Sequence, residues 1–199
     1  MYQDARAVSG SGHFHAVRFY DTPQSLCRMV AEFLGEGLIV GQPALVVATP
    51  EHGAGIIAEL RARHFDTDKM QAAGDLLVLD ARELLATFME DGHPDSVRFN
   101  VSVPAAIERV CAGQKNRTVR AYGEMVDLLW KDGFTTAAVR LEMLWNHLAL
   151  THDFSLLCGY AMGNFYKDAA VEDICRHHSH VVSAEGVAAP VSDGPSTAN

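Results

Sequence analysis

Two carboxylates in this chain stand where the surrounding pattern calls for core. Glu124 lies in RAYGEMVDLLW, residues 120–130, and Glu142 lies in RLEMLWNHL, residues 140–148, with Asn146 one helical turn later. An ionised or amide side chain is costly to bury unless it is paired. Glu142 and Asn146 are spaced i, i+4, so a helix carries both on one face beside Leu141 and Trp145. Such a pair supports two readings. It can fasten the helix to a neighbouring strand, through Arg120 or Arg98, as a hydrogen-bonded packing device. Alternatively it forms the polar wall of a small pocket whose apolar part is Trp145 and Tyr160.

A second group of residues has metal-ligand chemistry. Cys158 falls in SLLCGY, and the run CRHHSH places Cys175 and His178 three residues apart, on one face of a helix. With Cys158 and His15 they offer thiolate and imidazole donors of the kind that hold zinc. The spacing is half of a metal signature, and a solvated histidine-rich helix end accounts for it as well. No metal or cofactor is therefore assigned from the sequence. Cys158 itself reads as a buried thiol acting as a small hydrophobe.

Several familiar routes to catalysis are closed. The chain contains no Gly-Lys pair, so it has no GxxxxGK[ST] phosphate loop. A GxSxG nucleophile elbow is missing, as are HExxH, an EF-hand loop and any CxxC. The HGAG stretch after the second strand reads as a helix start. No catalytic residue is assigned.

Alternating strands and helices must position these groups. HAVRFYD reads as a first strand, and Thr22-Pro23 as the N-cap and first position of an amphipathic helix ending near Gly35 to Gly37. PALVVATP, DLLVLDA, RTVRAYGEM and FSLLCGYAM are further strands. GAGIIAELRARHF, ARELLATFM, the segment around Pro104, TTAAVRLEMLWNHLAL and AVEDICRHHSHV are helices. This alternation predicts an α/β fold with three layers, a mostly parallel sheet covered by helices on both faces. Ligand sites in such sheets lie at the carboxyl ends of the strands. By position, Glu124, Glu142, Asn146, Tyr122, Trp145, Cys158 and Tyr160 are expected to surround one site there.

The length of 199 residues fits one domain, with residues 1–12 as a flexible leader and 182–199, rich in small residues, Pro and Ser, as a disordered tail. A formal charge of -9 and the lack of a basic run argue against nucleic-acid binding. No apolar run is long enough to span a bilayer and no signal peptide is evident, so the expectation is a cytoplasmic protein with four reduced cysteines.

The segments YGEMVDLLW, AAVRLEMLWNHL and FSLLCGY, in this order, resemble the MEDS sensory domain family, found in the regulator of dichloromethane use and in other prokaryotic signalling proteins. HAVRFYD with His15 and Tyr20, FLGEGLIVGQPALVVATPEH, GDLLVLDARELLATFMEDGHPD and ICRHHSH extend the match over residues 13–181. The resemblance implies a degenerate RecA/KaiC-like fold that has lost its phosphate loop. It also implies a non-catalytic sensor of small molecules, proposed to be hydrocarbon derivatives, and adds His15 and Tyr20 to the ligand-binding set. Family members couple to kinase, DNA-binding or anti-sigma modules. With only short tails here, the expected partner is a separate signalling protein such as a histidine kinase, anti-sigma factor or transcription regulator. Two rival functions are a ligand-free interaction adaptor and a metal- or thiol-based redox sensor.

Overall fold

A computed structural model describes residues 14–111, 117–164, 174–182 and 188–191. Strand β1 (His15–Tyr20) leads through Asp21 and Thr22 into helix α1 (Pro23–Ile39), where Thr22 and Ser25 form a reciprocal capping box. Strand β2 (Ala44–Ala48) and helix α2 (Pro50–Ala62) follow, then α3 (Thr67–Ala73), β3 (Leu76–Asp80) and α4 (Ala81–Ala86). A two-stranded ribbon, β4 (Met89–Glu90) and β5 (His93–Pro94), precedes α5 (Ser96–Val110). Strand β6 (Val119–Gly123), helices α6 (Met125–Lys131) and α7 (Thr135–Leu148) and strand β7 (Phe154–Ala161) complete the centre. A 3-10 turn (Met162–Asn164) and strands β8 (His180–Val182) and β9 (Ala188–Pro190) come last.

The main sheet runs β3-β2-β6-β7-β1-β8-β9, parallel throughout except for the β8–β9 pair. Its two faces are buried by different helices. Leu26, Val30 and Leu34 of α1 and Ile56 and Leu60 of α2 cover one face, against Ala16, Val46, Tyr122 and Leu157. On the other, residues of α4 to α7, including Phe99, Val126, Leu141 and Trp145, meet Val17, Leu45, Ala121 and Leu156. The expected three-layer α/β architecture is therefore present. No helix among the described residues is long and apolar enough to cross a membrane.

Several local expectations are corrected. Helix α1 continues past Gly35 and Gly37 to Ile39, because those glycines admit neighbours instead of ending the helix. A Cβ on Gly37 would collide with the Arg120 side chain, and one on Gly35 would lie 3.1 Å from Phe65. The predicted final helix over 170–181 is not formed as such. Its start lies outside the described residues; of the residues described, only Ile174 and Cys175 are helical, and His180–Val182 pairs in parallel with β1. Within the predicted tail, Ala188–Pro190 adds an antiparallel edge strand to β8, an outer position where proline is tolerated. The leader and residues 192–199 lie outside the described residues.

Candidate functional site

Side chains alternate across a strand, and this parity divides the residues expected to form one site. His15, Cys158 and Tyr160 project onto the α7 face, whereas Tyr20 and Tyr122 project onto the α1/α2 face. Glu124 occupies the N-cap of α6, at the carboxyl end of β6. The structure consequently forms two buried polar networks instead of one.

The first network closes the carboxyl ends of the strands. Glu124 accepts from the Thr49 backbone N–H at the end of β2, from His52 Nδ1 at 2.6 Å and from the Tyr122 hydroxyl at 3.1 Å. Gly159 makes room for Tyr122, since a Cβ there would lie 2.8 Å from its hydroxyl. Asp127, one turn into α6, accepts from Tyr20 OH at 3.2 Å, the Ala161 N–H at 3.0 Å and Lys131 Nζ at 2.9 Å. Each carboxylate here has at least three donors. His52, Asp127 and the Thr49 N–H were absent from the expected site. Their sequence signal was a histidine in the first turn after a strand and an acid inside an apolar helix. His52 also lines an open groove between α1 and α2 with Gln24, Cys27, Glu51 and Glu59.

The His52–Glu124 pair has a defined pH signature. Its hydrogen bond to Glu124 raises the His52 pKa above the ordinary 6.5 against the opposing effect of burial. Burial pushes Glu124 up, but the bonds from His52 and Thr49 outweigh it and leave the carboxyl below its ordinary 4.5. The histidine contribution is complete below the ordinary imidazole pKa and is lost as pH rises through the elevated folded value. The glutamate contribution is complete above the ordinary carboxyl pKa and is lost as pH falls through the depressed one. Melting curves of wild type and His52→Gln should therefore differ most between about pH 4.5 and 6.5, with the gap narrowing on the alkaline side. A gap independent of pH would contradict the pairing.

The second network lies beneath α7, sealed in the core. Glu142 is 1% exposed; its Oε1 accepts from Tyr160 OH at 2.7 Å, and His15 Nε2 stands 3.2 Å from Oε2. Cys158 Sγ is 3.3 Å from His15 Nε2 and 3.8 Å from Glu142 Oε2. Asn146 Oδ1 accepts from His15 Nδ1 at 2.8 Å while its amide donates to the His177 carbonyl at 2.8 Å. Ser179 explains why CRHHSH arrives here. Its N–H donates to the His15 carbonyl at 2.7 Å and its hydroxyl oxygen accepts from the His15 N–H at 3.0 Å, setting the His178 ring 4.3 Å from that of His15. The expected arginine partners are elsewhere: Arg120 binds Gln42, the Phe33 carbonyl and Glu36, and Arg98 binds Glu90.

Electrostatics in this core are strongly perturbed. Burial pushes the Glu142 carboxyl up, yet His178, His15 and Tyr160 outweigh it and hold it at about 2. Burial drives His178 down to about 4. At neutral pH that imidazole is uncharged, so the carboxylate rests on the Tyr160 hydroxyl and the Cys158 thiol. Burial, then the Glu142 charge, pushes the Cys158 thiol well up. Among the described residues His178 Nε2 has no hydrogen-bond partner, although it is 3.4 Å from Glu142 Oε1. Of the expected site residues, His15, Glu142, Asn146, Cys158 and Tyr160 are thus brought together. Trp145 instead packs edge-on to Phe99 and Phe154 in the core. Of the expected sulfur–histidine ligands, His15, Cys158 and His178 converge with Glu142, and Cys175 is not in the group.

Comparison with known proteins fits this architecture. No curated protein matches the chain. Among solved structures, a KaiC-like protein from the hyperthermophilic archaeon Pyrococcus horikoshii OT3 is similar in fold, with a TM-score of 0.54 at 14% identity, covering 83% of this chain and 70% of that one. The family model described as MEDS, the methanogen/methylotroph DcmR sensory domain, matches residues 14–179. A match over that much of the chain, on a KaiC-like sheet, places this protein in the MEDS sensory domain family.

Proposed function

We propose that this domain is a non-catalytic sensor that receives a small ligand at the buried Glu142 centre and passes the change to a signalling protein. One observation carries the choice of site: among the described residues, His178 Nε2 is buried without a hydrogen-bond partner beside a buried carboxylate. Nearly all buried polar atoms in native proteins are paired, and an unpaired one calls for an explanation such as a missing ligand or ion. The Glu124 network, with every carboxylate saturated, supports a packing role at the strand ends. Family membership supports the sensory role, and the partner fits a histidine kinase, anti-sigma factor or transcription regulator. The test is a melting-temperature panel of small alcohols, aldehydes, haloalkanes and carboxylic acids. A compound that raises the wild-type midpoint, and not that of Tyr160→Phe, supports the reading. A panel that leaves wild type unmoved overturns it and favours the ligand-free adaptor.

The non-catalytic reading carries its own prediction. The turn from β1 to α1 holds two residues, Asp21 and Thr22, those from β2 and β6 hold one each, Thr49 and Glu124, and β3 runs directly into α4. No such turn can wrap phosphates in backbone N–H groups, and none of these turns carries a lysine to neutralise them. Calorimetry with ATP and magnesium should show no saturable binding. A micromolar isotherm would contradict this.

A further inference from the structure

We propose that Cys158, Glu142, His15 and His178 form a binding site for one divalent transition-metal ion of the zinc class. Their donor atoms all lie within 4.8 Å of one another, and all four residues are buried. Three separations share the Glu142 Oε2 donor set: 3.2 Å (His15 Nε2–Oε2), 3.3 Å (His15 Nε2–Cys158 Sγ) and 3.8 Å (Cys158 Sγ–Oε2), while His178 Nε2 stands 3.4 Å from the other oxygen, Oε1. Zinc bonds of about 2.0–2.3 Å in a tetrahedron put neighbouring donors about 3.3–3.8 Å apart. The cluster is therefore close to the size that such an ion requires.

The outward hydrogen bonds orient the rings for ligation. His15 Nδ1 faces the Asn146 amide oxygen, whose identity is fixed because the same amide donates to the His177 carbonyl. His178 Nδ1 faces the Ile174 carbonyl at 2.9 Å. An oxygen of either kind only accepts, so both Nδ1 atoms carry hydrogen and both neutral rings turn an Nε2 lone pair inward. This is how metal-bound histidines are held by their second partners. Tyr160 OH, 2.7 Å from Glu142 Oε1, does the same for the carboxylate.

Without an ion, the inward arrangement sets one Lewis base against another. The His178 lone pair points at a carboxylate oxygen 3.4 Å away, with no hydrogen to share. A cation removes the conflict. On binding, the Cys158 thiol loses its proton to solvent, and thiolate plus carboxylate cancel the two positive charges of the ion. The complex is neutral, which a sealed apolar core tolerates far better than a net charge. One sulfur, two nitrogens and one oxygen suit zinc, cobalt or iron(II), whereas calcium and magnesium want six or more oxygens. Four protein donors leave no open position, so the ion is structural or regulatory. It would join β1, β7, α7 and the segment carrying His178. That the sensor responds to this ion rests on the function proposed above; the binding itself does not.

The test is a titration of the chelator-stripped full chain with cobalt(II), followed by zinc. The expected result is one equivalent of cobalt, with visible bands of four-coordinate geometry and an ultraviolet sulfur-to-cobalt band, displaced by one equivalent of zinc. Cys158→Ser should lose the sulfur band, Asn146→Ala should weaken affinity by about 10–100-fold, and Cys175→Ser should change nothing. A wild type with no saturable cobalt spectrum overturns the proposal whether or not the variants fold. So does a four-coordinate sulfur spectrum that persists in Cys158→Ser. A cobalt site with no organic compound active in the melting panel keeps the metal and removes the small-molecule sensor. An active compound without a cobalt site does the reverse.

Discussion

Glu124→Ala is expected to destabilise the protein by about 3–5 kcal/mol, the cost typical of breaking a buried ion pair. At this chain length that lowers the melting midpoint by about 6–20 °C. The substitution removes the acceptor for Thr49 N–H, His52 and Tyr122 OH together. Tyr122 is fully buried, so its hydroxyl loses the acceptor that the core provides for it. These three donors come from the β2–α2 turn, α2 and β6, so the loss loosens the strand ends as a unit. Differential scanning calorimetry at neutral pH measures the effect. A midpoint within a degree or two of wild type would show that the network does not hold the strand ends together.

The second large effect is metal removal. Chelation followed by readdition of zinc should move the wild-type midpoint upward. An ion present at a thousand times its dissociation constant stabilises the native state by about 4 kcal/mol, or about 8–16 °C for a domain of this size. The shift should depend on zinc concentration and should not be reproduced by magnesium, whose preferred oxygen donors the site does not offer. Equal midpoints with chelator and with zinc would contradict it.

Much of the fold is legible in the sequence because its strands are short apolar runs, buried on both faces and separated by capped helices. Thr22-Pro23 marks a helix start that the structure reproduces, whereas α2 begins at Pro50, ahead of the expected Gly53 and inside the end of the expected strand. What misleads is glycine inside α1, where close packing against Phe65 and Arg120 decides and local propensity does not. The apolar segment MVDLLWK carries a helix, α6, that its position directly after a strand concealed.

The site was half legible. The types of Glu142, Asn146, Cys158 and Tyr160 announce polar chemistry in a core, and helical spacing places the first two correctly. Strand parity, which sends Tyr122 to the opposite face from Cys158, was available in principle from the alternation along β6 and β7. The pairing of His15 with His178 was not. It depends on Ser179 docking on the β1 backbone from the far end of the chain, a contact with no local periodicity to reveal it.

The proposed sensor role requires that the Glu142 centre await a ligand and not be a finished packing device. The melting temperature of Glu142→Gln against wild type, both in chelator, tests it most directly. A glutamine keeps an acceptor for Tyr160 at the Oε1 position, removes a buried charge and supplies an N–H at the Oε2 position, 3.2 Å from the inward lone pair of His15 Nε2. The variant should therefore melt at or above wild type, by up to about 1–3 kcal/mol of recovered hydrogen bonding, and should gain nothing from zinc. A variant destabilised by about 3–5 kcal/mol, as when a satisfied buried pair is broken, would contradict the account.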